Sequence, residues 1–138
     1  MTESTTPDIA RLILDQAPDA IIFAGIDGTV QEWNAAAEQI FGHSCDEAMG
    51  QSLDLIIPER FRESHWTAFD AAIAAGKTRL NGKALPTRSM RKDGTTIYVE
   101  LSFGVVLDSE GTAIGALAIA RDITEKFLTE RAKRENAS

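Results

Sequence analysis

The sequence predicts an α+β fold with a five-stranded antiparallel sheet, several short helices and one longer helix on one face, and a helix at each end. Tight turns of the Asp-Gly type separate β-prone runs, and residues 97–105 alternate apolar with polar side chains, as half-buried strands do. An apolar stripe repeating every three or four positions over residues 59–75 predicts the longer helix. A chain of 138 residues has room for one such domain.

Residues 1–17 read as a polar tail followed by a short amphipathic helix. Apolar side chains recur at helical spacing until Pro18 ends the pattern, and the stripe consists of Ile9, Leu12, Ile13 and Ala17. Such a narrow stripe cannot form a domain core and would expose its apolar face if left alone. We therefore expect it to pack on the same stripe of a second copy, which predicts a homodimer.

A hairpin and a helix come next. Two β-prone runs, residues 20–24 and 29–33, flank a turn at Asp27-Gly28. Asn34 is a candidate N-cap for a helix over residues 35–41, and a glycine directly after that segment is a typical helix stop.

The connector and the longer helix follow. Residues 43–58 are mixed in character and broken by Gly50 and Pro58, a pattern that favours one or two single-turn helices. Pro58 can sit in the first turn of the longer helix, where its missing N–H would be unpaired anyway. The stripe of that helix includes a histidine among its apolar members: Phe61, His65, Phe69, Ala72 and Ile73.

The C-terminal part predicts a meander of three strands and an exit helix. An extended run from Leu80 to Arg91 leads through a turn at residues 92–94 into the alternating strand. After a turn at residues 109–111, the segment 113–123 is apolar on both faces, which is typical of a central strand. The segment 125–138 is charged and helix-prone, and its large apolar residues are only Phe127 and Leu128.

Composition restricts the class of partner. The chain carries 14 Lys+Arg against 21 Asp+Glu, a net charge of −7 that repels nucleic-acid phosphates and anionic lipid. No apolar run approaches the roughly 20 residues that span a bilayer, so we expect neither nucleic acid nor membrane as partner. The single cysteine, Cys45, cannot form an internal disulfide, which favours a reducing, cytoplasmic location.

The order of these elements and three segments resemble the PAS family of sensory domains. The segments are IDGTVQEWNAAAEQIFGHSCDEAMGQSL, RKDGTTIYVELS and the terminal DIT, within a resemblance that runs from about residue 8 to residue 126. The resemblance implies a PAS domain over residues 18–124, with residues 1–17 as a dimerisation helix and residues 125–138 as a signalling helix. It also implies an effector in another polypeptide or in a part of the protein outside this sequence.

Within the family, IIPERFRESHWTAF resembles the haem-binding PAS domains of rhizobial oxygen-sensing histidine kinases. In those proteins a histidine of the long helix is the proximal iron ligand, and here that position is His65. The resemblance implies haem b as cofactor and a diatomic gas, or the redox state of the iron, as signal. The residues expected around the cofactor are Phe61, His65, Trp66, Phe69, Arg79, Leu80, Leu85, Leu101 and Phe103. Neutral imidazole is a good iron ligand, and apolar neighbours can bury a porphyrin face.

The sequence departs from those sensors at two positions. An arginine that contacts bound oxygen there is replaced by Leu85, and the propionate-binding arginine of the helix is replaced by Ala71. Arg79 could instead reach a propionate from the end of the helix. The departures argue against a response to oxygen that depends on an arginine, as in those sensors.

Two other interpretations of the sequence stand beside this one. A half-buried histidine such as His65 often only bonds a backbone carbonyl, and the chain would then be a PAS dimerisation or interaction module with another small ligand or none. Acidic residues of the connector raise the question of catalysis. No nucleophile is paired with a base at a recognisable spacing, so we do not expect an enzyme.

Overall fold

The computed structural model describes residues 7–78 and 83–137 as five helices, a 3-10 turn and a five-stranded sheet. The helices are α1 Ile9–Gln16, α2 Ala35–Phe41, α3 Cys45–Ala48, α4 Glu59–Ala75 and α5 Thr124–Ala137, with the 3-10 turn at Leu53–Ile56. The strands are β1 Ala20–Gly25, β2 Val30–Trp33, β3 Leu85–Met90, β4 Thr96–Leu107 and β5 Ala113–Asp122. Within the described ranges, no helix combines the length and apolar character needed to cross a membrane.

The sheet is antiparallel throughout, in the order β2-β1-β5-β4-β3. The prediction that residues 113–123 form a central strand is confirmed, because β5 pairs with β1 on one side and β4 on the other. Strands β3, β4 and β5 form the predicted meander. The register places Leu85 opposite Leu101, and Phe103 opposite Ala118. Strand β3 begins at Leu85, later than the predicted extended run from Leu80, and Leu80 itself lies outside the described residues.

Asn34 joins several elements as well as capping α2. Its side-chain Oδ1 accepts hydrogen bonds from the backbone N–H of Ala37, as predicted for an N-cap, and from that of Ile21, at 3.0 and 2.9 Å. Its Nδ2 donates to the carbonyls of Leu14 and Asp19. The side chain is 2% exposed, so all of these bonds satisfy buried polar groups. One residue therefore fixes α1, β1 and α2 relative to each other.

The core lies between the sheet and the helices on one of its faces. Ile22, Ile97 and Val99 of the sheet cluster with Phe41 of α2 and Phe69 of α4. Each is almost fully buried, and burying a side chain of this size stabilises the fold by about 1.5–3 kcal/mol. Phe69 thus anchors the middle of the longer helix on the sheet.

Helix α4 has the predicted length, with one difference at its start. Pro58 is the N-cap residue and not part of the first turn. The helix ends at Gly76, whose φ of 73° lies in the left-handed region that glycine adopts without strain. The helix therefore runs along the sheet over all of the residues predicted for it.

The two terminal helices have little contact with the core. Helix α1 has no buried residue, and Ile9 and Ile13 are 59% and 63% exposed. Helix α5 contacts the sheet through Phe127, whose ring stacks on Tyr98 at 4.2 Å between centroids. Thr124, at the start of α5, accepts a hydrogen bond from the Tyr98 N–H and donates to Asp122.

Candidate functional site

A large cleft lies between α4 and the outer strands of the sheet. Its volume is about 1040 Å³. One wall is α4, whose C-terminal half places four alanines along the cleft, and the other is formed by β3 and β4. The lining from these elements includes His65, Ala68, Phe69, Ala71, Ala72, Ala75, Leu85, Thr87, Leu101 and Phe103.

A second cavity of about 440 Å³ lies towards the N-terminal half of α4. Phe61, Ile56 and Val99 are among its lining residues, which are mostly apolar. The two spaces share part of their walls, formed by Ser64, His65, Thr87, Leu101 and Phe103. His65 therefore lies where the two spaces meet.

His65 is half-buried, and its Nδ1 has no hydrogen-bond partner among the described residues. Burial lowers the pKa of its imidazole below the ordinary 6.5, against the opposing charges of Asp54 and Asp70. Its ring lies 4.6 Å from that of Trp66 and 5.9 Å from that of Phe69. The result is a neutral imidazole held between aromatic rings, with a ring nitrogen that is unused by the protein around it.

The apolar wall opposite α4 consists of Leu101 and Phe103. Phe103 meets Phe69 in an edge-to-face contact at 6.1 Å between ring centroids, which closes the inner end of the cleft. Leu85 is 38% exposed and lines the cleft nearer the surface. These side chains offer a ligand apolar contact and no hydrogen-bond donor.

Phe61 and Trp66 lie on other parts of α4. Phe61 lines only the smaller cavity, and the guanidinium groups of Arg60 and Arg88 lie over its ring at 4.8 and 6.0 Å. Trp66 lines neither space. Its Nε1 donates a 2.7 Å hydrogen bond to Asp54 Oδ1. The four α4 residues predicted around a cofactor are therefore not all in one place: Phe61 lines the smaller cavity, His65 and Phe69 line the cleft, and Trp66 lines neither.

Two predicted cofactor contacts, Arg79 and Leu80, lie outside the described residues. Among the described residues, the cations that line the cleft are Arg60, Lys77 and Lys83, and the sequence patterns predicted neither lysine. The sequence did not single out either lysine as a cleft residue, because basic residues after a helix usually only face solvent. Ala71 also lines the cleft, where its small side chain leaves space.

Two acidic residues of the connector, Glu47 and Asp54, have structural roles. Glu47 accepts a hydrogen bond from the backbone N–H of Ser44 in a capping box and pairs with Lys92, which together lower its pKa to about 2. Asp54 binds the Trp66 indole. Among the residues that the structure describes, no group of three metal-ligating side chains occurs.

Comparison with known proteins gives the family. The PAS fold family matches residues 10–123. The sensor protein FixL of Bradyrhizobium diazoefficiens is 31% identical over 125 residues, which are 91% of this chain and 24% of FixL. The oxygen sensor protein DosP of Escherichia coli is 26% identical over 133 residues, 88% of this chain and 16% of DosP. The chain thus spans a quarter or less of these relatives.

Solved structures agree with the sequence match. The PAS domain of a protein from Colwellia psychrerythraea superposes with a TM-score of 0.73 at 26% identity, covering 86% of this chain and 99% of that domain. The chain therefore belongs to the PAS family and is a sensory and signalling module.

Proposed function

We propose that this PAS module binds haem b through His65 and senses a diatomic gas or the redox state of the iron. The observation that supports this most strongly is the state of His65: a neutral imidazole, at the wall of an apolar cleft, with a buried Nδ1 that no described residue satisfies. Neutral imidazole is the form that ligates iron.

The residues present fit such a cofactor. The cleft between α4 and β4 has the volume for a tetrapyrrole, and the four alanines of α4 that line it keep this part of the helix wall free of bulky side chains. Phe69, Leu101 and Phe103 provide apolar and aromatic contact for a porphyrin face. The same helix that buries Phe69 in the core holds His65 one turn earlier, which fixes the direction of the imidazole.

Bound haem would supply an iron centre that takes up a diatomic ligand and changes oxidation state. The chain's own contribution is the polarity of the space around it. Leu85, Leu101 and Phe103 donate no hydrogen bond, so this wall favours carbon monoxide and nitric oxide, which need little polar help, over oxygen.

The names of two relatives support a sensory role. DosP is named an oxygen sensor and FixL a sensor protein, and both match nearly the full length of this chain. Because this chain spans only a small part of either relative, its effector and partners remain part of the proposal. We infer that two copies form a homodimer through α1. We also infer that changes in the cleft alter the output through α5.

A second candidate is a PAS dimerisation or interaction module with a different small ligand or none. The smaller, mostly apolar cavity favours it, since a space of about 440 Å³ can take an apolar molecule without iron. In this case His65 would be a half-buried core histidine.

The spectrum of the purified protein separates the two candidates. Protein from cells supplied with iron and a porphyrin precursor should show an intense Soret band, which shifts when carbon monoxide is added to the reduced form. Colourless protein that also takes up no added haem would contradict the haem proposal and favour the module.

A further inference from the structure

The charge around the cleft is opposite to the charge of the chain. The whole chain carries −7, yet among the described residues the cleft is lined by three cations, Arg60, Lys77 and Lys83, against one acidic residue, Glu63. None of the three cations forms an ion pair within residues 7–78 and 83–137. Five other Lys and Arg side chains of this region do pair with carboxylates: Arg11, Arg62, Arg91, Lys92 and Arg121. The described part of the cleft lining therefore carries a net positive charge, and its cations form no ion pairs.

The two lysines belong to opposite walls of the cleft. Lys77 follows the glycine that ends α4, and Lys83 precedes β3, so one extends from the helix wall and the other from the sheet wall. Arg60 lies at the other end of α4 and is already held over the Phe61 ring. Both lysine side chains are exposed and can place an ammonium group at the cleft mouth while their stems cover apolar surface.

Compensation of the helix dipole explains only one of these lysines. The C-terminus of α4 carries partial negative charge, which Lys77 offsets, and the N–H groups of Gly76 and Lys77 already bond the carbonyl of Ala72. Lys83 lies at the start of a strand, where no such charge needs an offset. An anion bound between the two walls would account for both.

We propose that Lys77 and Lys83 bind the carboxylate groups of an amphiphilic ligand whose apolar body lies against Phe69, Leu101 and Phe103. This deepens the proposed function and rests on it, since it assigns the haem propionates to these lysines in place of the arginine that Ala71 replaces. Ammonium–carboxylate hydrogen bonds are charge-assisted and roughly twice as strong as neutral ones. The ligand class proposed for the cleft is thus a molecule with an apolar body and carboxylate groups.

The test uses metal-free protoporphyrin IX, which has the two carboxylates but no iron for His65 to bind, and its dimethyl ester. Binding is followed in the full chain by porphyrin fluorescence and quenching of the two tryptophans. Wild type should bind the diacid at least about tenfold more tightly than the ester, and rising salt should weaken only the diacid. The Lys77→Gln/Lys83→Gln variant should bind the diacid about tenfold more weakly and the ester unchanged.

The matched control is Lys126→Gln/Lys133→Gln on α5, which makes the same change in net charge and should bind both porphyrins as wild type does. Equal binding of diacid and ester, equal losses in the two double variants, or no binding of the diacid would each overturn the proposal. Failure of the haem proposal can be distinguished from failure of the lysine proposal. If the lysines discriminate diacid from ester but added haem gives no Soret band that depends on His65, only the haem proposal is wrong.

Discussion

His65 and Trp66 are neighbours in sequence but serve different parts of the molecule. His65 lines the cleft and leaves Nδ1 without a partner in the described residues, whereas Trp66 points to the connector and bonds Asp54. Their rings nevertheless meet at 4.6 Å in an edge-to-face contact. One aromatic contact therefore connects the imidazole with the side chain that bonds the connector.

Burial of His65 makes stability depend on pH. Because its pKa is lower in the folded chain than in the unfolded chain, the unfolded state binds more protons as the pH falls below about 6.5, and the free energy of unfolding decreases. Urea unfolding near pH 7.5 and near pH 5 should show a larger loss for wild type than for His65→Gln. The pH range from 7.5 to 5 lies above the pKa of Glu47, about 2, so Glu47 stays ionised in the folded protein throughout the experiment. Parallel losses in both proteins would show that His65 is not responsible.

At the scale of elements, the β1–β2 turn is fitted to α4. Gly28 has a φ of 81°, and a Cβ at this position would lie 2.2 Å from the Trp66 ring. The Gly28 carbonyl also accepts from the Leu53 N–H at the 3-10 turn. The turn, the connector and the longer helix are therefore packed as one unit around the Trp66 indole.

The turn at Gly94 offers a matched control for this packing. Both turns have the same Asp-Gly sequence and the same hydrogen bond from a threonine N–H to the Asp Oδ1, and Gly94 has a φ of 87°, but nothing lies within 4 Å of a Cβ there. Gly94→Ala should cost about 1 kcal/mol from backbone strain. Gly28→Ala should cost about 2–4 kcal/mol, because overlap with Trp66 adds to that strain. Equal losses in denaturant unfolding would contradict the packing of Trp66 on this turn.

Helix α5 is connected to the sheet at few points, which suits a segment that moves when the cleft changes. Its ring contact is the stack of Phe127 on Tyr98 of β4, the strand that also carries Leu101 and Phe103. Haem should change amide hydrogen exchange over residues 125–134 in wild type, because β4 links the cleft wall to this stack. Phe127→Ala should abolish the change and Leu128→Ala, at an exposed neighbour, should retain it. Unchanged protection in wild type would contradict this role.

At the scale of the whole molecule, local sequence patterns predicted most of the fold. The turns, the Asn34 cap, the glycine after α4 and the central position of β5 all follow from short segments whose physics is local. The structure added contacts that join distant segments. Examples are the Asn34 bonds to the carbonyl of Leu14 and the packing of Trp66 on Gly28.

The candidate site was less predictable for the same reason. His65 was visible because a histidine interrupts an apolar stripe, and resemblance gave it a role. The separate position of Phe61, the exclusion of Trp66 from both spaces, and the lysines at the cleft mouth depend on how α4 packs on the sheet. No spacing within one segment encodes that packing.

The exposed stripe of α1 predicts how two copies associate. Wild type should sediment as a dimer at high micromolar concentration, and Leu12→Glu/Ile13→Glu as a monomer, because the variant places charges in an apolar interface. Ile26→Glu is the control, since Ile26 is 57% exposed but lies in the β1–β2 turn. Monomeric wild type, or equal disruption by the control, would rule out this interface.

Haem titration of His65→Ala beside His43→Ala tests the central claim most directly. The chain has two histidines, and each has a buried ring nitrogen without a partner in the described residues: Nδ1 of His65 and Nε2 of His43. His43 lines neither space at α4. We expect His43→Ala to match wild type, and His65→Ala to bind haem at least about tenfold more weakly with an altered Soret band, while circular dichroism shows an unchanged fold. Equal affinity and spectrum for wild type and His65→Ala would contradict the assignment of His65 as the iron ligand.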